Sequence, residues 1–228
     1  MTLTAAYVAF NEEAAIAESM RSVKAYVDRF VIIDSAFASN PRPGPIHSTD
    51  HTRYVAARIA GDKPLAYIMP TAPLYEDQAR DLYLDAVKRD DWLLIIDADE
   101  VLCGDHDAIL ELIASLPDRK EAVSLAVFTN AVLFDGNADE MSPDHYETGP
   151  IISTVGMMPR LVRNVAGLRH RRVLDANGRA SFSSLWVGDR LLDERASDAA
   201  FLINRHVAQS YDGYLDDFRW ESAQEATR

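Results

Sequence analysis

Apolar residues in the first hundred positions fall into short uninterrupted runs, separated by longer stretches with helical spacing. Leu3–Phe10, Phe30–Asp34, Leu65–Met69 and Trp92–Ile96 have the length and β-branching of strands. Between them, Glu12–Tyr26, His51–Ile59 and Glu76–Arg89 read as helices, the second with Ser48, Thr49 and Asp50 available as caps. The strand runs are continuously apolar, which implies burial on both faces. Strand alternating with helix then predicts an α/β fold with a mostly parallel sheet flanked by helices. In such sheets ligands gather outside the carboxyl ends of the strands.

Beyond Ile96 the pattern changes. Asp105–Leu116 is a predicted helix and Val123–Phe128 a predicted strand. Residues 134–158, with Asp135-Gly136-Asn137, Pro143 and Gly149-Pro150, read as a long loop. Short strands are expected around Leu161 and Val173, then an amphipathic helix from about Tyr211 to the end. A chain of 228 residues, 48% hydrophobic, suffices for one core, so 1–228 is expected to be a single domain.

The formal net charge of −13 argues against nucleic acid and anionic membrane as partners. No run approaches the roughly 20 apolar residues of a membrane span. The start of the chain lacks the basic residues of a signal peptide. One cysteine, Cys103, excludes an internal disulfide and fits a reducing, cytoplasmic compartment. Five arginines fall between Arg160 and Arg172; guanidinium forks suit phosphate oxygens, although arginine-rich composition alone is the better account of them.

The stretch richest in chemistry is Asp91-Trp92 through Asp97-Ala98-Asp99-Glu100, where a buried strand ends in three carboxylates. Carboxylates so placed repel one another unless a cation neutralises them, and oxygen ligands suit Mg²⁺ or Mn²⁺. Two other strand ends share that edge: Phe10-Asn11-Glu12-Glu13, and Asp34-Ser35. A carboxylate at Asp34 can accept hydrogen bonds from a ribose or base, or simply order a turn.

Taken together, Asn11-Glu12-Glu13, Asp34-Ser35, Ser48-Thr49-Asp50-His51-Thr52, Ala79-Arg80-Asp81 and Asp91-Trp92 through Glu100 resemble, in order and spacing, the nucleotide-binding half of family 2-type GT-A glycosyltransferases. Two departures stand out. Residues 36–47 replace what is usually a single residue, as a flap or as a surface loop, and Asp81 replaces the usual asparagine. More faintly, Pro159-Arg160-Leu161-Val162-Arg163-Asn164 is similar to a later arginine element of that family.

The resemblance implies a GT-A domain, with 1–101 as the nucleotide-binding half and 102–228 as the acceptor-side half. It implies metal-dependent transfer of a hexosyl-type sugar, with inversion, from a nucleoside diphosphate sugar (uridine the favoured base) to the hydroxyl of a small or soluble acceptor. Asp99 and His206 would hold the Mn²⁺ or Mg²⁺, with Asp97 on ribose or on the metal through water. Asp34 and Arg80 would position the nucleoside, and Phe10, Asn11, Glu12 and Ala98 would complete the donor site. Asp175 stands where relatives carry a catalytic acid, so it is the candidate base; as the start of Asp175-Ala176-Asn177-Gly178 it is equally a turn residue.

Three rivals remain. A haloacid-dehalogenase-like phosphatase also uses D-x-D, but on its first strand and with a later lysine. A nucleotidyltransferase would show a glycine-rich loop where Asn11-Glu12-Glu13 stands. A sugar-nucleotide-binding module without turnover is the non-enzyme alternative.

Overall fold

The computed structural model describes residues 1–38, 44–118, 121–132, 151–174, 180–192 and 194–204. Its strands are β1 (Leu3–Ala9), β2 (Arg29–Asp34), β3 (Leu65–Ile68), β4 (Trp92–Ile95), β5 (Glu100–Cys103), β6 (Ala122–Val132), β7 (Ile151–Arg163), β8 (Leu168–Leu174), β9 (Ala180–Val187), β10 (Arg190–Leu191) and β11 (Glu194–Asn204). The helices are α1 (Ile16–Lys24), α2 (Thr52–Ala60), α3 (Glu76–Ala86) and α4 (His106–Ser115). The main sheet runs β3-β2-β1-β4-β7-β6-β11-β5, and β10-β9-β8 form a second, antiparallel sheet.

The first four strands pair in parallel, meeting the expectation of an α/β fold with a largely parallel sheet. Their continuous apolar runs bury alternate side chains on opposite faces. Ala5, Tyr7, Phe30, Ile32, Trp92 and Leu94 join the face covered by α1, α2 and α4. Ala6, Val31, Ile33, Leu93 and Ile95 join the face covered by α3. Each large side chain so buried contributes about 1.5–3 kcal/mol, which is why these runs specify strands without alternating polarity.

The second half departs from expectation. β7 starts at Ile151, inside the stretch read as a loop, and pairs antiparallel with both β4 and β6. The short strand expected near Leu161 is the end of this 13-residue strand. β5, β9 and β11 were not legible. Helix α1 is shorter than expected because Glu12–Ala15 form a turn, with the amides of Ala15 and Ile16 donating to Glu12 O. The expected C-terminal helix lies outside the described residues.

β5 follows β4 by four residues but pairs with β11 at the far edge of the sheet. Four residues, at roughly 3.5 Å per step, cannot cross four strand spacings of about 4.8 Å on a flat sheet. The sheet therefore curls, returning β5 to the end of β4. There Leu102 N–H donates to Ser22 Oγ of α1 at 3.0 Å.

Candidate functional site at the carboxyl edge

The strand order reverses at β1: β2 and β3 lie on one side of it, β4 on the other. The crevice between the carboxyl ends of β1 and β4 is thus the switch point at which open α/β sheets bind ligands. Phe10–Glu13 leave β1 on one side of it, and Asp97–Glu100 leave β4 on the other.

On the β1 side two motifs knit together. Asn11 sits at φ 58°, in the left-handed region that asparagine tolerates. Its Oδ1 accepts from Thr49 N–H at 2.8 Å, while its own N–H donates to Ser48 Oγ at 2.9 Å. Glu12 N–H donates to Thr52 Oγ1 at 2.7 Å, and Glu13 accepts from His51 N–H at 2.7 Å. The N-cap of α2 is His51, which makes no side-chain capping bond; Asp50, one residue earlier, accepts from Thr52 N–H at 3.0 Å. Ser48 and Thr49, expected as alternative caps, instead fasten the β1 loop.

Asp34 is buried, 2% exposed. One oxygen accepts from Ser48 N–H and Oγ, each at 2.8 Å, and the other from the Tyr67 hydroxyl at 3.0 Å. Burial and the neighbouring carboxylate push the Tyr67 hydroxyl above its usual range, so it stays a donor. Three of about four lone-pair positions on Asp34 are therefore occupied by the protein itself.

On the β4 side, neutralisation comes from arginine. Arg80 of α3 lies between Glu76 and Asp97, 2.8 Å from each. Arg160 of β7 stands 3.7 Å from the other Asp97 oxygen and 2.5 Å from Glu100. Burial pushes the Asp97 carboxyl up, but Arg80 and then Arg160 outweigh it and hold the group at about 2. Burial raises Glu100 to about 7 against the pull of Arg160, with Asp97 adding to the rise. The repulsion expected among three adjacent carboxylates is thus relieved in large part by two guanidiniums. Arg80, expected on the nucleoside, is engaged with the D-x-D turn.

Glu76, Asp97, Asp99 and Glu100 gather carboxylate oxygens at this edge around Arg80 and Arg160, a donor chemistry that suits a divalent ion. Among the described residues, no three His, Cys, Asp or Glu side chains are placed to hold a metal between them. Asp97 and Asp99 are oxygen donors of the kind that hold Mg²⁺ together with substrate phosphates. His206 and Asp175 lie outside the described residues. β11 ends at Asn204, the register partner of Glu100.

Each member of the arginine cluster has a carboxylate partner. Besides Arg160, Arg163 meets Asp90, Arg169 meets Asp85, Arg171 meets Asp189 and Arg172 meets Asp77, at 2.9 to 3.1 Å. Asp81, the departure in the arginine motif, accepts from His170 N–H at 2.7 Å and so ties α3 to β8. The 36–47 insertion is fastened at its base: Ala36 N–H donates to Ile46 O at 2.8 Å, and Ala38 N–H to Leu74 O at 2.7 Å. Sequence reasoning counted Glu100 only among the strand-end carboxylates, and gave Tyr67 no role and Arg160 no contact with the D-x-D turn. The signal for Arg160 was its place in the arginine element after the loop.

No known protein family matches the chain by sequence, and no curated protein does either. Similar solved structures include S. aureus TarS 1–349 in complex with UDP-GlcNAc, at 13% identity over 92% of this chain and 62% of that one, TM-score 0.46. Another is glucosyl-3-phosphoglycerate synthase from Mycobacterium tuberculosis with Mn²⁺, UDP and glucosyl-3-phosphoglycerate, at 21% identity over 56% and 43%, TM-score 0.38. A third is 2-C-methyl-D-erythritol 4-phosphate cytidylyltransferase from Francisella tularensis, at 12% identity over 72% and 73%, TM-score 0.34. The chain spans less than two thirds of the TarS and synthase chains. No helix among the described residues is long and apolar enough to cross a membrane.

Proposed function

We propose that the chain is a GT-A-type glycosyltransferase that moves a sugar, with inversion, from a nucleoside diphosphate sugar, uridine favoured, to an acceptor hydroxyl. The observation that supports this most is the Asp97-Ala98-Asp99 turn at the carboxyl end of β4, beside the switch point formed with β1. A diphosphate in that crevice would lie between the Asn11–Glu13 loop and the D-x-D turn.

The hard step is departure of the nucleoside diphosphate, on which negative charge develops. A divalent ion, when bound, supplies Lewis-acid stabilisation of that charge. Asp99 would hold it, and His206, two residues past the partner of Glu100, is the candidate second ligand. Arg80 holds Asp97 ionised at neutral pH, available to ribose or to a metal-bound water. Asp34 acts one layer back, fixing Ser48 and through it the Asn11 loop. Phe10 and Glu12 belong to the β1 loop, Ala98 packs into the hydrophobic core beneath the D-x-D turn at 3% exposed, and Asp175 remains the candidate base.

Thermal-shift measurements with nucleoside diphosphates, with and without Mn²⁺, test the reading. UDP should raise Tm only when Mn²⁺ is present, and Asp99→Ala should abolish that rise while leaving the ligand-free Tm unchanged or higher. A full Mn²⁺-dependent shift in Asp99→Ala would refute the metal assignment; no shift with any nucleoside diphosphate would refute the donor class.

A further inference from the structure

The fourth residue of the Asp97–Glu100 turn and the buried arginine of β7 share a set of bonds that the mechanism above does not use. Glu100 Oε2 accepts from Asp97 N–H at 2.9 Å, and Glu100 N–H donates to Asp97 O at 3.0 Å. Its other oxygen, Oε1, accepts from Arg160 Nη2 at 2.5 Å. Arg160 Nη1 donates to Ile95 O, the last residue of β4, at 3.4 Å. The same guanidinium stands 3.7 Å from Asp97 Oδ2. Glu100 and Arg160 are 2% and 6% exposed.

We propose that Glu100 and Arg160 are positioning residues that set the conformation of the Asp97–Asp99 turn for nucleotide binding. The inference rests on the donor-site reading above. Stability alone does not call for such a pair: exchanging a buried ion pair for apolar residues of similar volume is often neutral or stabilising. What an apolar pair cannot supply is an acceptor for Asp97 N–H, or a donor for Ile95 O and the Asp97 carboxylate. With Arg80 on Oδ1 and Arg160 near Oδ2, Asp97 is held from α3 and from β7 together. Arg160 follows Pro159 in the strand whose next residue, Leu161, pairs with Leu94 of β4. Any shift of β7 along β4 therefore moves the turn.

The test is the double variant Glu100→Leu with Arg160→Met, read by three measurements on the full chain. Tm should stay within a few degrees of wild type. Amide hydrogen exchange at residues 97–99, read without nucleotide, should speed at least tenfold. The Kd for UDP with Mn²⁺ should rise tenfold or more. Wild-type exchange at 97–99, or wild-type affinity for UDP, would overturn the proposal. Should the double variant fail to fold, Arg160→Lys keeps the charge but loses the fork, and is expected to speed exchange at 97–99 by a smaller factor; no change there would overturn the proposal as well. Failure of the wild type to bind UDP would count against the donor-site reading, while exchange would still judge the positioning role.

Discussion

The two halves of the main sheet use their polar groups in opposite ways. In the parallel half, β1 to β4, polar residues at the strand ends bind one another: Asp34 holds Ser48 and Tyr67, and Asn11 holds Thr49. In the other half, joined to the first through the antiparallel pair β4–β7, the buried polar residues reach back across the seam. Arg160 bonds to Asp97, Glu100 and Ile95 O. Asn164 Nδ2 donates to Leu84 O and Val87 O at 3.0 and 2.7 Å, satisfying carbonyls that the end of α3 leaves open. From the second sheet, His170 of β8 likewise meets the Tyr83 hydroxyl of α3 at 2.9 Å. The first half builds the edge where a ligand would sit, and the second clamps that edge. The site is a property of the seam, and neither half contains it alone.

If so, the halves should unfold together. Phe30→Ala in β2 and Leu125→Ala in β6 remove side chains 0% and 1% exposed from the two halves. Each should shift one common urea transition, by about 3–5 and about 2–5 kcal/mol. Two separate transitions, each moved by only one substitution, would break the comparison and with it the proposal of a single domain.

A smaller effect sharpens the account of the parallel edge. Asn11→Ala loses the bond to Thr49 N–H and places a Cβ residue without a polar tip at φ 58°. The two costs, about 1 kcal/mol for the bond and 1–2 for the backbone, sum to roughly 2–3 kcal/mol. Asn11→Gly relieves the backbone cost and should be the milder variant by equilibrium unfolding. Equal losses would mean that the left-handed conformation is not retained.

The smallest effect tests the clamp by pH. Burial, and secondarily the charge of Arg80, lowers the His170 pKa well below 6.5, so the imidazole is neutral in the folded state. Below pH 6.5 the unfolded chain takes up a proton that the native chain refuses. Stability from this group is therefore full above 6.5 and falls by up to about 1.4 kcal/mol per pH unit beneath it. His170→Gln should flatten the stability profile between pH 6.5 and 5.5 relative to wild type. An unchanged slope would show that the ring is not held neutral.

Legibility in the sequence followed the same seam. Strands buried on both faces write themselves as apolar runs, so β1 to β4 and the edge they form were readable from Leu3 to Ile96. β9 (ASFSSLWV) and the start of β11 (ERASDAAFLIN) mix serines and charged residues with apolar ones in no sustained alternation, and a register shift between Ala196 and Phe201 interrupts the latter. The D-x-D carboxylates were readable as a charge problem, but its solution was not. Arg80 is 17 residues from Asp97 and Arg160 is 60 from Glu100, and nothing local announces either pairing.

The curl that returns β5 beside β4 also has a kinetic side. β1 and β2 meet after a loop of about 25 residues, whereas Glu100 finds Asn204 only after about a hundred, and that longer closure costs roughly 1 kcal/mol more in chain entropy. Pairings of such sequence separation form slowly. On a growing chain the parallel strands are complete while Asn204 is still to be made. The turn that carries Asp97 and Asp99 would thus be among the last parts to reach its native form, on a sheet already assembled around it.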